Sequence, residues 1–218
     1  MYMRLIQKKD IDQVTKIDHE AFPTMWPPVN YRHELQNPLA HYTVVCDDEE
    51  KMIEEPEVEP ASPKGFSRLI TKVRQWLNYG HSPGDETPSS GRQYILGFAG
   101  FWIMADEAHI ISLAVRKTHH HRGIGELLLI ATIDLAAKLN ARNITLEVRA
   151  SNTAAVNLYG KYGFIQVGLR RGYYIDNKED AVLMSTEDIT SVSFQERLQQ
   201  LKRSHSRKWG LPLYPVAP

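Results

Sequence analysis

The stretch from His109 to Tyr162 changes rhythm three times, and this alternation limits the fold more than any other feature of the chain. His109 to Val115 reads as a strand, and Gly125 to Asn140 as a helix built on Leu127, Leu128, Ala131, Leu135 and Leu139. Ile144 to Val148 is a strand again, and Thr153 to Tyr162 a second helix. Strand, helix and strand in this order close as a right-handed crossover between two parallel neighbours. Ligands of such units gather at the carboxyl ends of the strands. The segment falling there is "KTHHHRGIGELLL", residues 117–129.

An open zinc site needs imidazoles that converge on one point. Adjacent side chains diverge, and no metal-spaced partner such as H-E-x-x-H lies near the three histidines, so no metal is expected. A Walker phosphate loop fails because Gly123-Ile124-Gly125-Glu126 lacks the G-K-[ST] ending. The dinucleotide fingerprint fails too, because its third glycine position holds Leu128. Two readings remain. Gly123 and Gly125 allow close backbone approach, the helix start offers unpaired N–H groups and a positive dipole end, and Arg122 adds charge. That describes a pyrophosphate cradle; the alternative is a tight strand-to-helix turn with no ligand.

The flanking segments extend the pattern. Asp10 reads as the cap of a helix carrying Ile11, Val14, Ile17 and Ala21. Pro23, Pro27 and Pro28 break the chain around Trp26, and a short helix fits Tyr31 to Leu35. Strands are expected at His41 to Cys46, Tyr94 to Ile103, Phe164 to Leu169 and Ala181 to Ser185. The class is α/β (α+β), a mixed central sheet flanked by helices.

Composition changes at Asp47. From there to Pro60 stand eight acids against one base, Lys51. "KGFSRLITKVRQWLNYG", 64–80, then places Phe66, Leu69, Ile70, Val73, Trp76 and Leu77 on one helical stripe, and "HSPGDETPSSG", 81–91, follows. Such a length of loop is foreign to a compact domain, so 47–92 reads as a partly helical insertion in a domain spanning 1–185. Residues 186–218 read as a basic C-terminal extension. There Ser193 and Glu196 fit a capping box for a helix through Phe194, Leu198 and Leu201. Arg197, Lys202, Arg203, Arg207 and Lys208 follow with no acid between 197 and 208.

Bulk charge excludes little but points away from DNA: Lys+Arg (26) and Asp+Glu (26) cancel. The single cysteine, Cys46, cannot form an internal disulfide and follows an apolar run, which suits a buried strand residue in a reducing compartment. "MYMRLIQKKD" has no apolar leader core, and the longest apolar run, Ile95 to Ala105, is about half a membrane span. A cytoplasmic protein is expected.

"LEVRASNTAAVNLYGKYGF" (146–164) and "RRGYYIDNKEDAVLM" (170–184), with "AFPTMW" (21–26) and "ISLAVRKTHHHRGIG" (111–125), resemble the bacterial RimI-type ribosomal-protein alanine N-acetyltransferases of the GNAT superfamily. The resemblance covers roughly 1–46 and 93–185. It implies the GNAT fold and acetyl-CoA as cosubstrate, lying between the strand that ends at Val115 and the strand that holds Glu147. The backbone of Leu113, Ala114 and Val115 would pair with the pantetheine arm. His121, Arg122, Gly123, Ile124, Gly125 and Glu126 would hold the pyrophosphate, and Asn152 would touch the coenzyme. One position departs: the superfamily pattern opens with Gln or Arg where this chain has His120. An imidazole donates one hydrogen bond when neutral and adds charge when protonated, so phosphate binding with some pH dependence is expected.

The same resemblance makes Glu147 the general base, acting through water, and Tyr159 the general acid for the departing thiolate. A peptide α-amine has a pKa of about 8, roughly two units below lysine, so it needs only mild deprotonation. Read without the motif, Glu147 is a surface strand residue paired with Arg149, and Tyr159 a core tyrosine beside Leu158 and Tyr162. The acceptor, a protein N-terminus, would lie between Phe22 and Trp26 on one side and Tyr173 and Tyr174 on the other, residues that otherwise read as ordinary aromatics. The N-terminal alanine of a ribosomal protein is the implied substrate. Two other functions stand beside it: acetylation of a lysine or small amine, and non-catalytic acyl-CoA binding on the ribosome. The basic tail and the 64–80 helix would meet ribosomal RNA or an anionic surface, or else the tail is simply a solvated end.

Overall fold

The computed structural model describes residues 1–24, 28–51 and 93–210. Trp26, the 64–80 stripe and the 81–91 segment lie outside the described residues. Seven strands, β1 (Tyr2–Leu5), β2 (Ala40–Lys51), β3 (Gln93–Met104), β4 (Glu107–Val115), β5 (Asn143–Arg149), β6 (Ile165–Tyr174) and β7 (Glu179–Ser185), form one sheet. Their order is β1-β2-β3-β4-β5-β7-β6. β4 and β5 pair in parallel, from Glu107↔Asn143 to Ile110↔Leu146. The connection between them is α3 (Ile124–Lys138), so the expected crossover is present.

Each face of the sheet has its own apolar layer. On one, α1 (Ile11–Ala21) and α2 (Tyr31–Glu34) bury Val14, Ile17 and Tyr31 against Val44, Ile95 and Phe98. On the other, α3, α4 (Thr153–Lys161) and α5 (Val192–Trp209) share a core with Ile110, Leu146 and Val148. Cys46 is fully buried in β2, and burial pushes its thiol up, as a packing residue requires.

Several local expectations need correcting. β1 is absent from the sequence reading because four residues carry too little alternation to register. β2 runs on to Lys51, pairing Asp47 with Tyr94 and Lys51 with Gln93, so the chain leaves and rejoins the sheet at adjacent ladder positions. Asp10 does not cap α1 with its side chain. Its carboxylate is taken by the Arg4 guanidinium (2.9 Å to Oδ1) and the Gln7 N–H (2.7 Å), which closes the short 3-10 turn ahead of the helix. α5 is capped by Ser191, whose side chain accepts from Phe194 N, and not by Ser193 with Glu196. Nor is the basic run wholly solvated. Lys202 pairs with Asp134 of α3, and Arg197 with Glu187 at 3.4 Å.

Candidate active site

The cleft begins as a defect in pairing. β4 stays bonded to β3 as far as Val115↔Gly97, but its pairing with β5 ends at Ile110↔Leu146. At that point the β3–β4 register slips: Gly100 faces Ser112 and Phe101 faces Ile110, leaving Ile111 as an extra residue. A bulge bends its strand and sharpens the local twist. Here it swings the end of β4 away from β5 and leaves backbone groups of 111–115 and 147–149 without a partner strand between them. Leu113, Ala114 and Val115 sit on this free edge, which is where a chain of amide groups can be bonded.

At the mouth stands the loop that precedes α3. The three histidines do three different jobs. His119 is buried against Tyr94 at 5.9 Å, with Thr118 Oγ1 at 2.9 Å from its Nδ1. His120 sends Nε2 to the Val115 carbonyl at 2.9 Å, which ties the loop to the end of β4. A carbonyl only accepts, so this nitrogen carries the proton. His121 is exposed and takes a left-handed φ of 60°. Gly123, the N-cap, is left-handed as well (φ 76°, ψ 1°). Left-handed residues interspersed in a loop turn successive N–H groups into one concavity, an arrangement that suits an anion. The first bond of α3 runs from Leu127 N to Gly123 O at 2.9 Å, so Ile124, Gly125 and Glu126 have N–H groups with no acceptor inside the helix.

Glu126 does not spoil this positive end. Lys161 and the Tyr162 hydroxyl (2.7 Å) both hold its Oε1, drawing the carboxylate toward α4. Burial pushes its pKa up, but those bonds and the Lys161 charge win and leave it lowered. Arg122 is exposed at the loop. Asn152 caps α4 through Oδ1, which accepts from Ala155 N at 3.2 Å. Among the described residues no three His, Cys, Asp or Glu side chains converge on one position.

Glu147 stands on β5 one step past the last paired residue, with Leu146 and Val148 buried on the opposite face. It is not paired with Arg149. Oε1 meets Arg170 of β6 at 3.0 Å, and Oε2 meets His109 Nε2 of β4 at 3.0 Å. His109 is a residue the sequence reading missed. Its Nδ1 lies 2.9 Å from Thr145 Oγ1, whose hydroxyl donates to Glu107 at 2.8 Å. The threonine proton is therefore committed, so Nδ1 donates to Thr145 Oγ1. The signal was available in principle, since the parallel register puts His109 beside Thr145, two residues before Glu147.

Tyr159 lies in α4, buried, with its ring 5.6 Å from Phe164, and its hydroxyl bonds to no other described residue. Burial, with the nearby Tyr174 adding to it, pushes its pKa up to about 12. It keeps its proton at any physiological pH. Tyr174 is likewise raised to about 12 by burial, against the lowering pull of Arg149, with Tyr173 and Glu147 adding to the rise.

The far wall is made of side chains. Arg149 reaches Asp176 at 2.9 Å and Glu179 at 3.1 Å, and its guanidinium lies 3.9 Å over the Tyr174 ring. Asp176 also accepts from Thr24 Oγ1 at 2.8 Å. One arginine thus latches the segment after α1 to the β6–β7 turn. Phe22 closes α1 and packs at the edge of that layer, and Tyr173 stands edge-on to Tyr174 at 5.3 Å.

A parallel pair opened by a bulge, with a bare helix start at its mouth, is how an acyl-CoA cleft of the GNAT type is made. The chain belongs to that family: residues 53–164 match the acetyltransferase (GNAT) family, whose members use acetyl-CoA, and it is an N-acetyltransferase. It is 30% identical over 183 residues to the putative ribosomal protein bS18-alanine N-acetyltransferase of Bacillus subtilis (strain 168), covering 84% of this chain and 92% of that one. It is also 30% identical over 177 residues to an N-alpha-acetyltransferase of Sulfurisphaera tokodaii, covering 81% and 86%. The crystal structure of the Escherichia coli ribosomal-protein alanine N-acetyltransferase matches with a TM-score of 0.56 at 21% identity, covering 86% of this chain and 93% of that one. That last likeness bears on the fold alone. Among the described residues no helix is long and apolar enough to cross a membrane.

Proposed function

We propose that this protein acetylates the α-amine of a protein N-terminus in the cytoplasm, with the N-terminal alanine of a ribosomal protein as its substrate. The observation that carries the reading is the cleft itself. The β4 edge at Leu113, Ala114 and Val115 faces a strand bearing Glu147, and a protonated tyrosine, Tyr159, lies on the same side as the helix start. These residues fit acetyl-CoA: the edge matches an amide-rich arm, and the concave loop from His121 to Glu126 matches a pyrophosphate, with Asn152 flanking it.

Acetyl-CoA supplies an activated thioester when bound. The chain does the rest. Phe22, Tyr173 and Tyr174 wall an extended N-terminus and limit its first side chain. Glu147 accepts the amine proton, directly or through water, with Arg170 and His109 fixing both of its oxygens. Tyr159 donates to the departing sulfur. Its raised pKa does not bar this, because the proton moves only as charge develops on the thiolate. No covalent enzyme intermediate is needed, and the buried Cys46 takes no part.

On α5, Arg203, Arg207 and Lys208, which have no carboxylate partner among the described residues, offer an outward cationic face to ribosomal RNA. The experiment for the substrate class is acetyl transfer to a peptide array. Free N-termini, alanine first, should be labelled, while blocked N-termini carrying lysine should not. Labelling of the blocked lysine peptides alone would replace this reading with that of a lysine or small-amine enzyme.

A further inference from the structure

The helix beyond β7 finishes on the loop just described. α5 begins by burying Phe194 and Leu198 in the main core, so the helix stays docked. It then meets α3 at two places. Lys202 meets Asp134, three turns into α3, and one turn later His205 meets its N-cap. His205 Nε2 donates to the Gly123 carbonyl at 2.9 Å, the same oxygen that accepts the first bond of α3. The imidazole is 1% exposed, and its Nδ1 is buried with no partner among the described residues. A buried polar atom left unpaired is a cost that needs an offset, and the bond to Gly123 supplies one. Trp209, one turn further, lies flat against the same glycine: a Cβ on Gly123 would stand 2.6 Å from its ring. The helix closes directly afterwards at left-handed Gly210, which bonds to Ser206 O.

We propose that α5 is a clasp on the acetyl-CoA loop, with His205 and Trp209 as positioning residues. They hold Gly123 in its left-handed conformation and thereby set how the N–H groups of Ile124, Gly125 and Glu126 are presented to the pyrophosphate. Cofactor affinity is then governed by a helix that supplies neither strand of the cleft. The inference rests on the loop being the pyrophosphate site.

The test uses the full chain and three readouts: acetyl-CoA affinity by calorimetry, steady-state kinetics with an acceptor peptide, and amide exchange over residues 120–128 without cofactor. Trp209→Ala and His205→Ala should each raise the acetyl-CoA Kd and KM by about five- to tenfold, the size of one lost hydrogen bond or packing contact. The kcat at saturating acetyl-CoA and the KM for peptide should stay within twofold, and exchange at 121–127 should quicken. Trp209→Phe and His205→Gln, which keep a ring and an N–H donor, should recover part of the loss. They carry the test if an alanine variant does not fold. Unchanged acetyl-CoA affinity in folded variants overturns the clasp. So does a fall of kcat in step with the folded fraction while both KM values stay put, which would make α5 a stability element only. Arg122→Ala separates the two claims. If acetyl-CoA binding ignores Arg122→Ala and the α5 variants alike, the loop is not the pyrophosphate site; if it responds only to Arg122→Ala, the clasp alone falls.

Discussion

The two walls of the cleft, as we propose it, are built from different materials. The cofactor wall is backbone: a free strand edge at 113–115, two left-handed residues at 121 and 123, and the start of a helix, all within one short run of sequence. The acceptor wall is side chains brought from far apart, as in the Thr24–Asp176 bond, whose partners are 152 residues distant. A wall made of backbone needs particular φ values, and glycine announces them locally. One made of long-range pairs announces nothing until the chain is folded. The walls should also fail differently, and variants can force that difference into view.

The largest effect is expected at the seam between them. Glu147→Gln keeps the shape but loses the proton acceptor, and kcat should fall by about 10²-fold, the low end for general-base assistance, because the α-amine is already partly neutral near pH 7.5. The deficit should shrink toward pH 9 while acetyl-CoA affinity holds. Wild-type kcat at pH 7 would remove the base assignment. Tyr159→Phe should cost about tenfold or more in kcat with no rescue at high pH, because the lost proton serves the sulfur. With its pKa raised to about 12, the wild-type tyrosine stays protonated below that value, so the normal enzyme should show no loss from its ionisation up to pH 10. A wild-type decline between pH 8 and 10 that disappears in Tyr159→Phe would contradict this.

Gly123→Ala tests the backbone wall. An alanine at φ 76° costs about 1–2 kcal/mol, and its Cβ would also drive into Trp209. The space at Gly123 is thus filled by protein and not by open approach to a ligand. The KM for acetyl-CoA should rise by about tenfold with the peptide KM unmoved. Arg149→Met tests the other wall and should do the reverse, raising the peptide KM about threefold and leaving acetyl-CoA alone, since partly exposed ion pairs are worth little. Equal movement of both constants in either variant would show that the walls are not separable. The latch should also be indifferent to ordinary pH. Bonds from Ser151, then from Asn177 and Arg149, hold the Glu179 carboxyl down to about 2 from 4.5. A depressed carboxyl contributes in full above its unfolded value and is lost only as pH falls through the folded one. The Arg149→Met deficit should therefore be the same at pH 6 and pH 9.

The crossover, the glycine loop, the core face of β5 and the buried cysteine were legible in the sequence because each is a local rhythm or a local backbone demand. The bulge at Ile111 was not. Burial along β4 alternates without a break, yet Ala108 and Ile110 belong to the α3 layer while Ala114 belongs to the α1 layer. The strand changes face midway, and residues as small and apolar as these carry no mark of it. His109 was hidden for the same reason. Its role depends on the register of a strand 36 residues away. The basic character of α5 misled as well, because charge along a helix says nothing about the imidazole and indole on its other face.

The smallest effect is expected at the second glycine, which the sequence alone could not tell from the first. A Cβ on Gly125 would rest 3.8 Å from Val115 Cγ2 and 3.9 Å from Leu113 Cδ2, ordinary contact, and the residue is already helical. Gly125→Ala should therefore stabilise the protein, by about 0.4–1 kcal/mol, through the unfolded chain. It should leave the acetyl-CoA KM within threefold. The contrast with Gly123→Ala is the sharpest form of the backbone argument, because both changes add one methyl group to the same turn. Thermal unfolding and acetyl-CoA KM, measured on the pair, decide it. A tenfold rise in KM at Gly125 with stability gained would mean that the bound arm runs through the gap between the α3 start and the β4 edge, so closely that even a methyl group obstructs it.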